Sequence, residues 1–150
     1  TDWGVIEDNR KQMMKECPDV YFEITPTVSI MNVYHLPDFH RDWIERGLLE
    51  PQNVRMNILT YPEDYRIQII PPKERKIFID KYTEHIKWID DNFGDGAAKR
   101  GFESVLDFLQ QENYENLIPD FVDRNTPLDK LRGESLYQVA PELKFLEDRK

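Results

Sequence analysis

The chain has 150 residues, 39% of them hydrophobic and 12% aromatic, which is enough apolar material for one domain with a real core and too much for a disordered segment. Its formal net charge of −9 sets it against the polyanionic backbone of nucleic acid. Its one cysteine, Cys17, allows no internal disulfide and no cysteine-ligated zinc or iron–sulfur site built within this chain alone.

No apolar run approaches the roughly 20 residues needed to span a bilayer, and no secretory signal is visible. A reduced, cytoplasmic setting is therefore expected, with no membrane and no nucleic acid among its partners.

Residues 2–16 place Trp3, Ile6, Met13 and Met14 among charges, as an amphipathic helix does, and Cys17-Pro18-Asp19 ends it. Val20 to Ile24 is rich in strand formers, and after Thr25-Pro26 a second extended piece runs from Thr27 to Val33. Proline cannot donate to a sheet ladder, so a bend or an edge is expected at Pro26. A helix near 37–47 follows, opened by Pro37 and stopped by Gly47, with Phe39, Trp43 and Ile44 on one face.

Val54 to Leu59 reads as a strand, Tyr61-Pro62-Glu63-Asp64 as a turn, and Arg66 to Ile70 as another short strand before Pro71-Pro72. The clearest helix covers about 73–92, with Phe78, Tyr82, Ile86 and Ile89 at spacings of four, four and three. Gly94-Asp95-Gly96 separates it from a second helix near 97–112, whose stripe is Phe102, Val105, Leu106 and Leu109. The tail, 115–150, is expected to be short helices broken at Pro119, Pro127, Gly133 and Pro141.

This order has the character of βαβ winding and a parallel sheet. Two or three strands make a poor sheet alone, and a parallel sheet is covered on both faces. More strands are therefore expected upstream, and the chain, which opens on Thr-Asp-Trp, is expected to be the C-terminal part of a larger α/β enzyme.

Few side chains point to chemistry. His35 and His40 flank Asp38 and could serve a metal-dependent hydrolase, but five residues is not the three-or-four spacing that puts two ligands on one helical face. His85 beside Glu84 is expected on the solvent side of its helix. Cys17 sits at a helix C-terminus, where the dipole does not activate a thiol. The carboxylates Asp38, Asp42, Glu63, Asp64, Asp90 and Asp91 read as a solvated face. No phosphate-binding glycine loop and no Gly-x-Ser-x-Gly elbow is present.

The polar residues of Thr27-Val28-Ser29-Ile30-Met31-Asn32 stand out. Thr27, Ser29 and Met31 share one strand face, and Val28, Ile30 and Asn32 the other. A buried Ser or Asn needs a partner, which is backbone, water or a ligand held at the carboxyl end of a strand.

The stretch Glu23-Ile24-Thr25-Pro26-Thr27-Val28-Ser29-Ile30-Met31-Asn32-Val33, followed by His35-Leu36-Pro37-Asp38-Phe39, resembles the late-barrel strand and helix of radical S-adenosylmethionine proteins with a twitch auxiliary region, of the phage and marine metagenomic type. Asn57 to Pro62, Ile67 to Pro72, Lys81 to Trp88, Leu128 to Ser135 and Pro141-Glu142-Leu143 are similar to segments that follow in the same order, so the likeness covers roughly residues 20–145.

The resemblance implies an α/β fold, in which residues 1–71 hold the last strands and helices of a partial (β/α) barrel and residues 72–150 form a helical C-terminal extension. It implies a parent enzyme with a [4Fe–4S] cluster on a C-x3-C-x2-C motif that cleaves S-adenosylmethionine reductively. This chain lacks that motif, so the fragment is expected to hold no cofactor and to be inactive alone, its partner being the missing N-terminal barrel half. An exposed sheet edge there would favour self-association. By the same resemblance Ser29 and Asn32, and more weakly Asn57, are candidates for the S-adenosylmethionine side. Ser29 and Asn32 can line one pocket only if the strand has ended before Asn32. The alternative expectation is a small non-catalytic helical interaction module, motivated by the aromatic-rich long helix.

Overall fold

The computed structural model describes residues 2–149. Helix α1 (Trp3–Glu16) is capped by the Asp2 carboxylate, which accepts from the Gly4 amide at 2.9 Å. It buries no residue completely and is held along its N-terminal half. Trp3 packs against the rings of Phe39 and Trp43, the Arg10 Nε donates to the Leu48 carbonyl at 2.8 Å, and Glu7 pairs with Arg46.

Strand β1 (Thr27–Val28), helix α2 (Leu36–Glu45) and strand β2 (Asn57–Ile58) then form one βαβ unit. The strands pair in parallel with Thr27 opposite Asn57 and Val28 opposite Ile58, and a further parallel bridge joins Ile24 to Val54. Two 3-10 turns (Glu63–Tyr65 and Ile67–Ile69) lead to the long helix α3 (Lys76–Phe93), which packs along α4 (Ala97–Gln110). After a 3-10 turn at Glu115–Leu117 come α5 (Ile118–Arg132), α6 (Leu136–Val139) and a closing 3-10 segment, Pro141–Arg149.

This corrects the expected fold class. The described residues are mostly helical with one short two-stranded parallel ribbon, not an α/β sheet and not a partial (β/α) barrel. The reasons are local. Val20 and Tyr21 are exposed and unpaired in any sheet. The second extended piece stops at Val28, because the Asn32 side chain accepts from the Ser29 amide and donates to the Thr27 carbonyl, both at 2.9 Å, turning the backbone. Ile67, Gln68, Ile69 and Ile70 are all buried, so they lack the alternation of a half-exposed strand and coil into a 3-10 turn. In the tail, Pro127 lies inside α5 rather than ending it, at the loss of one backbone hydrogen bond.

The core joins the ribbon to the helical half. Val28, Ile30 and Val33 meet Phe78 and Tyr82 of α3, Phe102 and Leu109 of α4, Phe121 of α5 and Leu143 of the tail in one cluster. A smaller cluster of Trp43, Leu48 and Leu49 lies under α1. Tyr82 is fully buried and donates its hydroxyl to the Val33 carbonyl at 2.8 Å, which satisfies the only polar atom it brings inside.

Arg75, 5% exposed, sits at the start of α3 and donates to four backbone carbonyls: Ile70 at 2.8 Å, Gln68 at 3.1 Å, Gln111 at 3.0 Å and Glu112 at 3.0 Å. The rigid guanidinium fork suits such a cradle, and it ties the 3-10 turn before α3 to the chain leaving α4.

At the start of α4 the side chain of Gln52, from the loop before β2, accepts from the Ala98 amide at 3.1 Å. It thereby caps the first turn of a helix, at an amide 46 residues further along the chain. Gly96 has extended backbone, and a Cβ there would overlap the Gln52 amide.

Candidate functional site

Parallel strands that alternate in and out give the ribbon two faces. Ile24, Val28, Val54, Met56 and Ile58 belong to the core or pack on it. The opposite face carries Thr25, Thr27, Arg55 and Asn57, all exposed. Thr27 and Asn57 are register partners and stand side by side.

The ladder runs on one side of β1 only. The Ile24 amide donates to Asn53, and the carbonyls of Ile24, Pro26 and Val28 accept from Arg55, Asn57 and Leu59 at 2.9–3.0 Å. Thr25, between them, turns its amide and carbonyl the other way, where no described residue pairs with them. Beside this edge lies an apolar groove of about 480 Å3 between Trp3, Ile24, Pro26, Leu36 and Phe39, with Asn32 and His35 at its rim.

The three residues expected on the S-adenosylmethionine side are placed differently from one another. Ser29 is buried at 8% exposure and its hydroxyl accepts from the Met31 amide at 3.3 Å. Asn32 spends both ends of its amide on the turn described above. These two shape the carboxyl end of β1. Asn57 is exposed, and its side chain has no hydrogen-bond partner among the described residues.

The hydrolase constellation does not assemble. His35 pairs with Glu142 at 2.8 Å, Asp38 pairs with Lys81, and His40 turns inward. Among the described residues no three His, Cys, Asp or Glu side chains are grouped to hold a metal ion. Cys17 is exposed and free. No helix of the described residues is long and apolar enough to cross a membrane.

A pair that sequence reasoning missed is His40 with His85. His85 is 5% exposed, not on the solvent side, because it continues the buried stripe Phe78, Tyr82, His85, Ile89. His40 continues the stripe Leu36, His40, Trp43 on α2. Spacings of four, three and four were the available signal.

The His40 Nδ1 lies 3.0 Å from the His85 Nε2, and the His40 Nε2 lies 3.0 Å from the Pro51 carbonyl. A carbonyl only accepts, so His40 carries its proton on Nε2 and offers a bare Nδ1. His85 must then donate from its own Nε2, which leaves its Nδ1 unprotonated. Burial pushes His40 down to about 4 against the opposing pull of the Pro51 carbonyl. Burial, with positive charge at His40, Arg41 and Lys81, pushes His85 down to about 3.

Both folded values lie below the unfolded 6.5. The unfolded chain therefore binds more protons as the pH falls below 6.5, and the stability due to the neutral pair is lost toward pH 4. Between pH 7 and pH 5 each histidine should weaken folding about 25-fold. His85→Gln keeps an N–H for the His40 Nδ1 but does not titrate. Urea midpoints at both pH values should drop by less in this variant than in the natural chain, and parallel drops would remove the histidines as the cause.

No family model matches the chain, no curated protein matches it, and no solved structure matches it.

Proposed function

We propose that this chain is the C-terminal portion of a cytoplasmic enzyme of the radical S-adenosylmethionine type. The reading is carried by the two-faced parallel ribbon: its inner face is packed by helices while Thr27 and Asn57 stand exposed on the other. A polar face on a parallel ribbon is unusual, since parallel strands are ordinarily buried on both sides, and it suits a wall that faces a polar ligand. The ordered likeness of residues 20–145 supports the same reading.

This chain's own residues do not fit a [4Fe–4S] cluster, because Cys17 is its one cysteine and lies exposed at the end of α1. In the parent, cluster ligands would have to come from outside this chain. For S-adenosylmethionine the fit is better. Asn57 has an uncommitted amide, while Ser29 and Asn32 hold the turn at the end of β1. The unpaired Thr25 edge is where the preceding segment, or a second copy of the chain, would add a strand.

The test is the reading frame upstream of Thr1 in the source DNA, followed by expression of the longer protein. A C-x3-C-x2-C motif upstream and iron in the long protein but none in residues 1–150 are expected. Asn57→Ala in the long protein should bind S-adenosylmethionine about tenfold more weakly, the worth of one or two hydrogen bonds. An upstream frame without the motif, or iron bound stoichiometrically by residues 1–150 alone, would overturn the reading.

A second reading, a non-catalytic interaction module, is favoured by one observation, the apolar groove flanked by the half-exposed Trp3. An upstream stop codon with a start at the first residue would put this reading first.

A further inference from the structure

Hydrogen bonds along β1 alternate between its two edges. The even-numbered residues serve β2: the Ile24 amide donates to the Asn53 carbonyl, and the carbonyls of Ile24, Pro26 and Val28 accept from the amides of Arg55, Asn57 and Leu59. The odd-numbered residues turn to the other edge. Asn32 marks that edge, because its side-chain amide donates to the Thr27 carbonyl and accepts from the Ser29 amide. Asn32 thus stands where a neighbouring strand would stand, and it closes the edge at the carboxyl end.

Ahead of Asn32 the edge is open from Glu23 to Thr27. Both backbone groups of Glu23 and of Thr25, and the Thr27 amide, meet no partner among the described residues. Thr25 is exposed and lines the apolar groove beside Trp3, Pro26 and Phe39, so the groove runs alongside this edge. Natural edges are commonly guarded by lysine, by proline or by a covering element. Lysine is absent from residues 23–27, and Pro26 is no guard, because the nitrogen that lacks a hydrogen belongs to the β2 side.

The open stretch matches itself. A twofold axis at Thr25, perpendicular to the sheet, sets two copies antiparallel with Thr25 opposite the partner's Thr25. Each Thr25 amide then donates to the other Thr25 carbonyl, and each Thr27 amide to the other Glu23 carbonyl, with both Asn32 turns left as they are. Like charges do not face each other in this register: Glu23 stands opposite Thr27, and Arg55 of its own copy lies 3.5 Å from its carboxylate. The same axis sets the two grooves side by side on one face, with Ile24 of each copy opposite Pro26 of the other. A two-stranded ribbon is marginal alone, and this pairing makes it half of a larger sheet.

We infer that the 150-residue chain forms a twofold dimer by antiparallel pairing of residues 23–27 with the same segment of a second copy. This stands apart from the parent enzyme proposed above, since a strand from a preceding segment would compete for the same edge. So short an edge belongs with weak interfaces, those under roughly 1,200 Å2 in total, which sets Kd on the order of 10–100 μM. Sedimentation velocity over about 5–500 μM should therefore follow monomer into dimer. Salt at about 0.3 M screens the repulsion between two copies of net charge −9.

Thr25→Pro removes the central donor, and Thr25→Lys keeps it but sets two ammonium groups opposite each other. Neither touches a bond to β2, so circular dichroism should be unchanged while the dimer weakens about tenfold or more. With Cys17→Ser as background, Thr25→Cys should oxidise to a linked dimer, since facing Cα atoms would lie about 5.5 Å apart, within disulfide reach. Asn57→Cys, on the far strand, should not. A monomer at every concentration, which leaves the edge to a preceding segment or another protein, would overturn the inference. So would a dimer as tight in Thr25→Lys as in the natural chain, or linkage through position 57 as fast as through position 25.

Discussion

Replacing Arg75 by methionine should lower the stability of the fold by about 1–3 kcal/mol, the cost of leaving a buried acceptor unpaired. Four carbonyls lose a donor at once. The Gln68 carbonyl keeps a second donor, the Tyr114 amide at 3.1 Å, but those of Ile70, Gln111 and Glu112 lose the guanidinium that pairs them. The buried Ile70 carbonyl is left unpaired at a cost of about 1–3 kcal/mol, while those of Gln111 and Glu112 belong to exposed residues and can turn to water. Relief of burying the arginine charge, which its lowered pKa records, offsets part of that. Arg75→Lys keeps the charge and loses the fork, so it should recover only a minor share. Urea unfolding followed by tryptophan fluorescence measures both, and a change under about 1 kcal/mol for the methionine variant would show that water replaces the guanidinium freely.

Phe102→Ala is the second large effect. Phe102 is fully buried on α4, with its ring centroid 5.1 Å from His40, 4.5 Å from His85 and 5.7 Å from Tyr82. Removing a buried phenyl ring costs about 3–5 kcal/mol through lost transfer energy and the cavity left behind. This cavity has an unusual lining, since two of its walls are imidazoles kept neutral by dryness. Water that enters should return both toward 6.5, so the variant should lose stability at pH 7 yet lose less of it between pH 7 and pH 5 than the natural chain. Phe108→Ala, at a half-buried position on the same helix, should cost less and leave the pH slope unchanged. A steep slope retained in Phe102→Ala would mean that something other than the ring keeps the pair dry.

What could be read from the sequence was the part governed by a single period. The stripes of α3 and α4, the Pro37 start of α2 and the Gly94 to Gly96 break all follow from apolar spacing and backbone chemistry within one helix. The parallel relation of residues 24–28 to 54–58 was also in reach, since a strand, a helix and a strand leave few topologies.

The extent of the sheet was not. Nothing in the composition of Ile67-Gln68-Ile69-Ile70 separates a buried strand from a buried 3-10 turn, because burial on every side erases the period. At Asn32 the composition left backbone, water and a ligand open as partners, and only the three-dimensional path of the chain shows that the side chain holds its own backbone. The His40–His85 pair was hidden for another reason. Each histidine occupies a core position, but polarity argued for solvent, and only the partner 45 residues away makes burial tolerable.

The capping of α4 by Gln52 ties two distant positions together over evolutionary time. Any side chain at position 96 would evict the Gln52 amide, and any residue at position 52 without an acceptor would leave the Ala98 amide bare. Either substitution alone loses the cap, which is kept only while position 96 is glycine and position 52 carries an acceptor. Positions 52 and 96 are therefore expected to covary among relatives of this chain. That is a record, written in sequence, of how the ribbon and the helical half meet.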